Sequence, residues 1–309
     1  MEARFGRREL FRRGAIASAA LAIGGRTARA EGGDRVALVK LQGVKDDLDA
    51  AVKKLLSPLG GMQSFVRKGD KVLLKPNMGF ATPPERRATT SPGLVAAVAR
   101  LALGCGAARV LIADHPMRKP EACLRLNGIQ AAVSGLDNVH VLLPMAATLF
   151  VSREIPQGKS LRRVQIFKDA LEVDVHIALP VAKSHMAAGF SGGVKGMMGL
   201  ILDRESLHSR CDLNQAIADL GTVLKAQLSI LDGLSIMATD GPAGPGELIE
   251  RNTLVAGTDS VAVDALGVEL APLYRRRIKA RQIKHLKAAA AMGVGKLALP
   301  AAKVRTLSM

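Results

Sequence analysis

Seven short apolar runs, most of them separated by helix-length stretches, constrain this chain more than any other feature. They are 35–41 (RVALVKL), 71–75 (KVLLK), 109–113 (RVLIA), 139–143 (VHVLL), 175–179 (VHIAL), 228–232 (LSILD) and 253–256 (TLVA). Most are continuously apolar rather than alternating, as in strands covered on both faces. Helical patterns fall at 46–57, 91–104, 119–133, 212–226, 259–271 and 277–292. Ser91-Pro92 supplies a cap with proline at the first helical position, and Gly104 and Gly106 close that helix. Strands that alternate with helices predict an α/β fold: a mostly parallel sheet with helices on both faces, in Rossmann-like layers. Hydrophobic residues make up 48% of the chain, enough for a sizeable core. Residues 31–309 read as a single domain, with a lobe division expected near the turn at 152–160.

Residues 1–30 read as an address. Arg7-Arg8-Glu9-Leu10-Phe11-Arg12 is a twin-arginine pattern, a weakly apolar stretch comes next at 14–25, and Ala28-Arg29-Ala30 is a small-x-small cleavage pattern. The apolar stretch is shorter than the roughly 20 residues a membrane span needs. The expected location is therefore periplasmic or exported, with the twin-arginine translocase as a partner during export. The whole chain carries +17; residues 1–30 hold seven Arg against two Glu, so the rest keeps +12. Nucleic acid is excluded as an expectation, because the chain leaves the cytoplasm and has only 3% aromatic residues to stack on bases. A small anionic ligand, or an anionic membrane surface, suits the charge better.

In open α/β sheets ligands bind beyond the carboxyl ends of the strands. The residues at and just past the ends of these runs are Lys75-Pro76-Asn77 and then Thr89-Thr90, next Asp114-His115, then Lys183-Ser184-His185, then Asp232 and Asp240, and finally Gly257-Thr258-Asp259. All of these are expected at one edge. The segment 189–199 (GFSGGVKGMMG) has the composition of an anion cradle, in which Gly192, Gly193 and Gly196 would free backbone N–H groups and Lys195 would add a charge. It lacks P-loop spacing, and no GxGxxG succeeds the first strand, so standard nucleotide binding is rejected.

These motifs together carry a family resemblance. KPN at 75–77, TTSP at 89–92, ADH at 113–115, KSH at 183–185, GGVKGMMG at 192–199, DGP at 240–242 and GTDSVAVDALG at 257–267 resemble the domain of unknown function 362 family, from about residue 35 to about 300. The resemblance implies an α/β domain with no generally established activity. It nominates Lys75, Asn77, Asp114, Lys183, His185, Lys195, Asp232 and Asp264. Some members carry ferredoxin-like cysteine motifs. This chain has only Cys105, Cys123 and Cys211, widely spaced, so no iron–sulfur cluster is expected.

Lys183, His185 and Asp114 are the candidate catalytic groups. Lys75, Asn77, Thr89, Thr90, Gly192, Gly193, Lys195 and Gly196 are the candidate anion-binding groups, with Asp232, Asp259, Asp264 and His208 in reserve. Lys183 and His185 share a side of an extended segment, so His185 is a general base, a metal ligand or a solvated loop residue. A divalent metal held by His185 and several aspartates is a weaker expectation, since no compact ligand motif occurs. Asp259 alternatively caps the helix after it. His140 and His176 read as strand residues, His285 as a solvated helical one, and His115 lacks supporting neighbours. Tyr274 to Lys287 reads as a basic helical stretch, solvated or attached to an anionic membrane. Three functions fit these residues: an enzyme acting on a small anionic substrate, a non-catalytic ligand-binding or assembly protein, and a peripheral membrane protein.

Overall fold

Alternate residues of the central strands enter different cores. Val72 and Leu74 join one apolar cluster and Leu73 the other; Val110 and Ile112 join the first and Leu111 the second. A strand buried on both faces must be apolar throughout, which is why these runs do not alternate. The computed structural model describes residues 36–309, and the export signal read at 1–30 lies outside the described residues.

The elements run β1 (Leu38–Gln42), α1 (Leu48–Leu56), β2 (Lys71–Pro76), α2 (Pro92–Gly104), β3 (Arg109–Ala113), α3 (Pro120–Asn127), α4 (Ile129–Val133) and β4 (Val139–Leu142). Next come β5 (Phe150–Glu154), β6 (Arg163–Phe167), α5 (Asp169–Glu172), β7 (Val175–Leu179), β8 (Val181–His185), β9 (Gly189–Ser191), α6 (Gly193–Gly196), α7 (Glu205–Ser209) and α8 (Leu213–Val223). The chain ends with β10 (Leu228–Met237), β11 (Leu248–Gly257), α9 (Ser260–Glu269), α10 (Lys284–Ala291) and β12 (Val304–Ser308). The main sheet has the order β12-β1-β11-β10-β7-β2-β3-β4, with β8 branching from β10 and β9 pairing with β8. From β10 to β4 every neighbour is parallel. Around β11 the pairing is antiparallel. Helices α1 and α2 cover one face, and α8, α9 and α10 the other. The fold is α/β, with a mostly parallel mixed sheet.

All seven apolar runs are strands, but the structure adds elements and redirects others. Residues 181–185, read as an extended loop, form β8, paired to β10 and β9. The turn at 152–160 begins in β5 and leads into β6, a two-stranded ribbon apart from the main sheet. The helix expected over 119–133 breaks in two: Asn127 donates to the Met78 carbonyl and accepts from the Ile129 N–H, which starts the second piece. The helix expected over 277–292 begins only at Lys284, after a tight turn in which Tyr274 and Arg275 have φ of 52° and 61°. The basic side chains from Arg275 to Arg277 are exposed. No described helix is long and apolar enough to cross a membrane.

Strand direction corrects one site expectation. Because β11 runs against β10, its carboxyl end lies at the opposite edge from the ends of β2, β3 and β7. Asp259 comes after β11 and caps α9, accepting from the N–H groups of Val261, Ala262 and Lys296. It is a helix cap, not a member of the common edge.

Candidate functional site

The parallel strands β2 and β3 end side by side and deliver Lys75 and Asp114 into contact. Lys75 Nζ lies 2.9 Å from Asp114 Oδ1 and donates also to the Pro76 carbonyl at 2.8 Å. Asp114 Oδ2 accepts from the N–H groups of Met78 and Gly79 at 2.8 and 3.0 Å. Burial pushes Lys75 below the usual lysine range, and Asp114 pulls it back up. Gly199 closes over this pair: a Cβ there would collide with Asp114 Oδ1 and stand 2.8 Å from Lys75 Nζ. Only glycine lets that backbone approach.

Strand β8 supplies the next two groups. Lys183 and His185, two residues apart, share a face of the strand as their spacing requires. Lys183 is 1% exposed, donates to the Ala88 carbonyl, and has the Phe80 ring 4.5 Å from its Nζ. Among the described residues it has no carboxylate within ion-pairing distance. Burial pushes it down to about 7, and the nearby charge of Lys195 adds to that shift. His185 Nδ1 accepts from the Ala188 N–H at 3.3 Å, so the neutral ring carries its proton on Nε2. Burial and then Lys195 hold His185 far below the usual histidine range.

More exposed neighbours complete the cluster. Lys195 is partly exposed on α6, and burial, then Arg204 and Lys75, push it down to about 8. Arg204 lies just before α7, with its Nη2 buried and without a hydrogen-bond partner; burial also lowers it. His208 is exposed and stacks on His185, with ring centroids 6.4 Å apart and planes 16° apart. Arg204 and His115 line a cleft of about 280 Å³ with Pro116, Met117, Leu202, Asp203 and Glu205. Lys75, Asp114, Lys183 and His185 are buried, and Lys195, Arg204 and His208 are their more exposed neighbours; of these seven only Arg204 lines the cleft. Their charges bear on one another, and Asp114 is the carboxylate among them.

The other sequence candidates have different work. Asp264 Oδ1 and Oδ2 accept from the N–H groups of Gly193 and Val194 at 2.7 and 2.9 Å, and a Cβ on Gly192 would collide with Asp264 Oδ1. The Gly196 N–H donates to the Gly192 carbonyl. The glycine segment therefore cradles an anion, but the anion is the protein's own Asp264. The N–H groups of Gly193 and Gly196 are thus engaged within the protein, which corrects these two as substrate ligands, while Gly192 packs against Asp264 and Lys195 remains a candidate. Burial raises Asp264 to about 7, against the two N–H donors. Asp232 accepts from Ser91 and Leu234 N–H and so ties β10 to the start of α2. Asn77 Oδ1 accepts from the Val181 N–H, its own N–H donates to Thr90 Oγ1, and Thr90 donates to the Leu179 carbonyl. Asn77 and Thr90 thus latch β2 to the start of β8. Thr89 Oγ1 is buried without a partner, one residue beyond the carbonyl that holds Lys183.

Asp232, Asp259 and Asp264 are spent on backbone donors at separate places, and Asp240 is exposed beyond β10. Among the described residues no three His, Cys, Asp or Glu side chains converge as metal ligands. The donor set expected for a divalent metal is thus not assembled. Sequence reasoning missed Arg204, because Asp203 and Glu205 flank it and suggest local pairing. It also misplaced His285, which is fully buried on α10 with both ring nitrogens unpartnered and lies within electrostatic reach of Lys195. Its spacing to Ala289, one helical turn on and on the same buried face, was the available signal.

A family model described as "Domain of unknown function (DUF362)" matches residues 72–269. A relative from Synechocystis sp. named thylakoid-associated protein is 31% identical over 223 residues, 70% of this chain and 67% of that protein. Two solved structures are similar at 14% identity. A Thermotoga maritima protein gives a TM-score of 0.42 over 79% of this chain and 58% of that one. The lactate racemase apoprotein from Thermoanaerobacterium thermosaccharolyticum gives 0.47 over 78% and 59%. This chain spans less than two thirds of the length of either solved chain.

Proposed function

This chain belongs to the domain of unknown function 362 family, and we propose that it is an exported enzyme acting on a small anionic substrate beside the cluster of basic side chains at the ends of β2, β3 and β8. One observation carries the reading. The carboxylates near the sheet edge are neutralised internally, by Lys75 or by backbone N–H groups, whereas Lys195 and Arg204 have no carboxylate partner among the described residues. Buried or half-buried cations left without counter-ions are costly unless a ligand supplies the negative charge.

In this reading Lys195 and Arg204 bind the substrate anion, with His208 beside them. The Lys75–Asp114 pair, locked beneath Gly199, holds a fixed charge pattern. Lys183 supplies an amine neutral near physiological pH, and His185 offers its Nε2–H as a donor. Such preorganised donors act where charge develops during reaction. The export motif at 1–30 supports a location in the cell envelope. The name of the Synechocystis relative, a thylakoid-associated protein, is in keeping with a membrane-adjacent location.

The test is a conversion screen. Purified protein is incubated with pooled small carboxylates and phosphate esters, and products are tracked by NMR. Conversion by the native chain that disappears in Lys183→Met and His185→Ala, both folded by circular dichroism, supports an enzyme. Conversion unchanged in both variants removes this assignment. Recovery of a ligand bound one per chain and never consumed would favour the non-catalytic binder instead.

A further inference from the structure

Three segments meet where β10 ends, and together they set an apolar side chain among arginines. Met186 comes directly after β8, and its N–H donates to the Gly241 carbonyl. At the other end of that turn, a Cβ on Gly189 would stand 3.1 Å from Ile283 Cδ1. The β8–β9 turn thus lies between the loop after β10 and the residues that open α10. Next to it, the Tyr274 N–H donates to the Ala238 carbonyl, and Leu273 and Arg276 exchange backbone hydrogen bonds. The bend that carries Arg275–Arg277 is therefore fixed to the same end of β10. Leu248 stands there too, opposite Met237, which in turn pairs with Lys183 of β8.

Met186 is 79% exposed, and Leu248 is exposed as well. A single exposed apolar side chain needs no explanation by itself, but this one projects where the charge is one-sided. From Arg275 to Lys287 there are seven basic side chains and no acidic one. Glu247 lies 3.6 Å from Arg275, and Glu269 lies 3.9 Å from Lys279. Arg276, Arg277, Arg281, Lys284 and Lys287 are exposed, with no carboxylate in ion-pairing distance among the described residues. Asp240, exposed in the adjoining loop, subtracts one charge and leaves the face basic. Exposed cations need no counter-ion in water, so charge alone would leave this face solvated. Met186 selects the occupant. A nucleic acid has phosphates but no apolar depth for a methionine, and an acidic protein would need a pocket cut to fit it. The interface of an anionic bilayer supplies phosphates and an acyl boundary together, without a matched shape.

We propose that this face docks on an anionic membrane, with Arg276 and Arg277 on lipid phosphates and Met186 reaching the acyl boundary. The proposal stands apart from the anion-site reading above and requires no catalysis. Because Met186 adjoins His185, a docked chain turns the edge of the candidate site toward the bilayer.

The experiment is vesicle co-sedimentation of the full chain. Vesicles are pure phosphatidylcholine, or phosphatidylcholine with one-third phosphatidylglycerol, at low and high salt. The expected result is binding to the anionic vesicles alone, weakened by salt. Arg276→Gln with Arg277→Gln should weaken it by about 25-fold, from about fivefold per charge at a membrane surface. Met186→Ser should weaken it severalfold at either salt. Lys53→Gln with Lys54→Gln removes the same charge from exposed positions on α1, on the other face of the sheet, and should bind like the native chain. All the substituted side chains are exposed, so the variants keep the fold. Residues 1–30 are common to every variant, so a difference between the two pairs belongs to this face. No binding, equal binding to neutral vesicles, or equal loss in the two pairs overturns the proposal. So does Met186→Ser that binds like the native chain, because charge alone then holds the face. None of these outcomes bears on the anion site.

Discussion

One carboxylate, Asp114, serves Lys75 and two backbone donors at once. Removing it leaves a buried ammonium and two N–H groups without partners. Asp114→Ala is therefore expected to lower stability by about 3–5 kcal/mol in urea unfolding. The double variant Lys75→Met, Asp114→Ala should recover part of that loss, since the uncompensated charge goes with it. No recovery would mean the ion pair is incidental. Among single residues the lysines and Asp114 were legible and the other aspartates were not. Lys75 and Lys183 announce themselves because each sits in or directly beyond an apolar run, where an unsupported charge is expensive. Asp232, Asp259 and Asp264 look equivalent in sequence, but what distinguishes them is which backbone N–H each one meets, and sequence does not show that. Arg204 was hidden by its acidic neighbours for the same reason.

Between elements, close backbone approach decides what the site tolerates. Gly199→Ala would drive a methyl group into the Lys75–Asp114 pair, so it should abolish anion binding and lower the melting temperature by several degrees, as read by calorimetry. Gly196→Ala meets nothing within 4 Å of the new methyl and should behave like the native chain. Equal behaviour of the two would contradict the packing described. Asp232→Ala breaks the tie between β10 and α2 and leaves buried N–H groups, at an expected cost of about 1–3 kcal/mol. The central strands were readable because their apolar runs, though short, are unbroken. Strand β8 was not: its Lys, Ser and His are polar, and Pro180 before it suggests a loop, yet pairing to β10 and β9 holds it extended. Nor does an apolar run reveal direction, which is why Asp259 was assigned to the wrong edge.

The charge distribution governs the molecule as a whole and gives its stability a definite pH profile. His176 and His285 are held neutral in the fold at about 3, mainly by burial. Unfolded, they titrate near 6.5, so stability falls as the pH drops from about 6.5 toward 3. Asp264 acts oppositely: raised to about 7, it binds its proton more tightly when folded, and its contribution declines as the pH rises from about 4 to 7. Lys183, lowered to about 7, makes stability rise from pH 7 toward 10.5, because only the unfolded chain keeps that proton there. Lys183→Met should reduce this alkaline rise in urea unfolding measured across pH, leaving the part due to Lys195, which is lowered to about 8, and an undiminished rise would show that Lys183 is charged in the fold.

The proposal that Lys195 and Arg204 bind an anion underlies everything else proposed for the site. Titration calorimetry of small carboxylates and phosphate against neutral amides of the same shape, at low and high salt, addresses it without intermediaries. The expected result is one saturable site per chain for an anion, none for its neutral counterpart, and about tenfold weaker binding in Arg204→Gln or Lys195→Gln. Equal affinity for the neutral amides, or anion binding indifferent to both substitutions, would mean that these cations are not a ligand site.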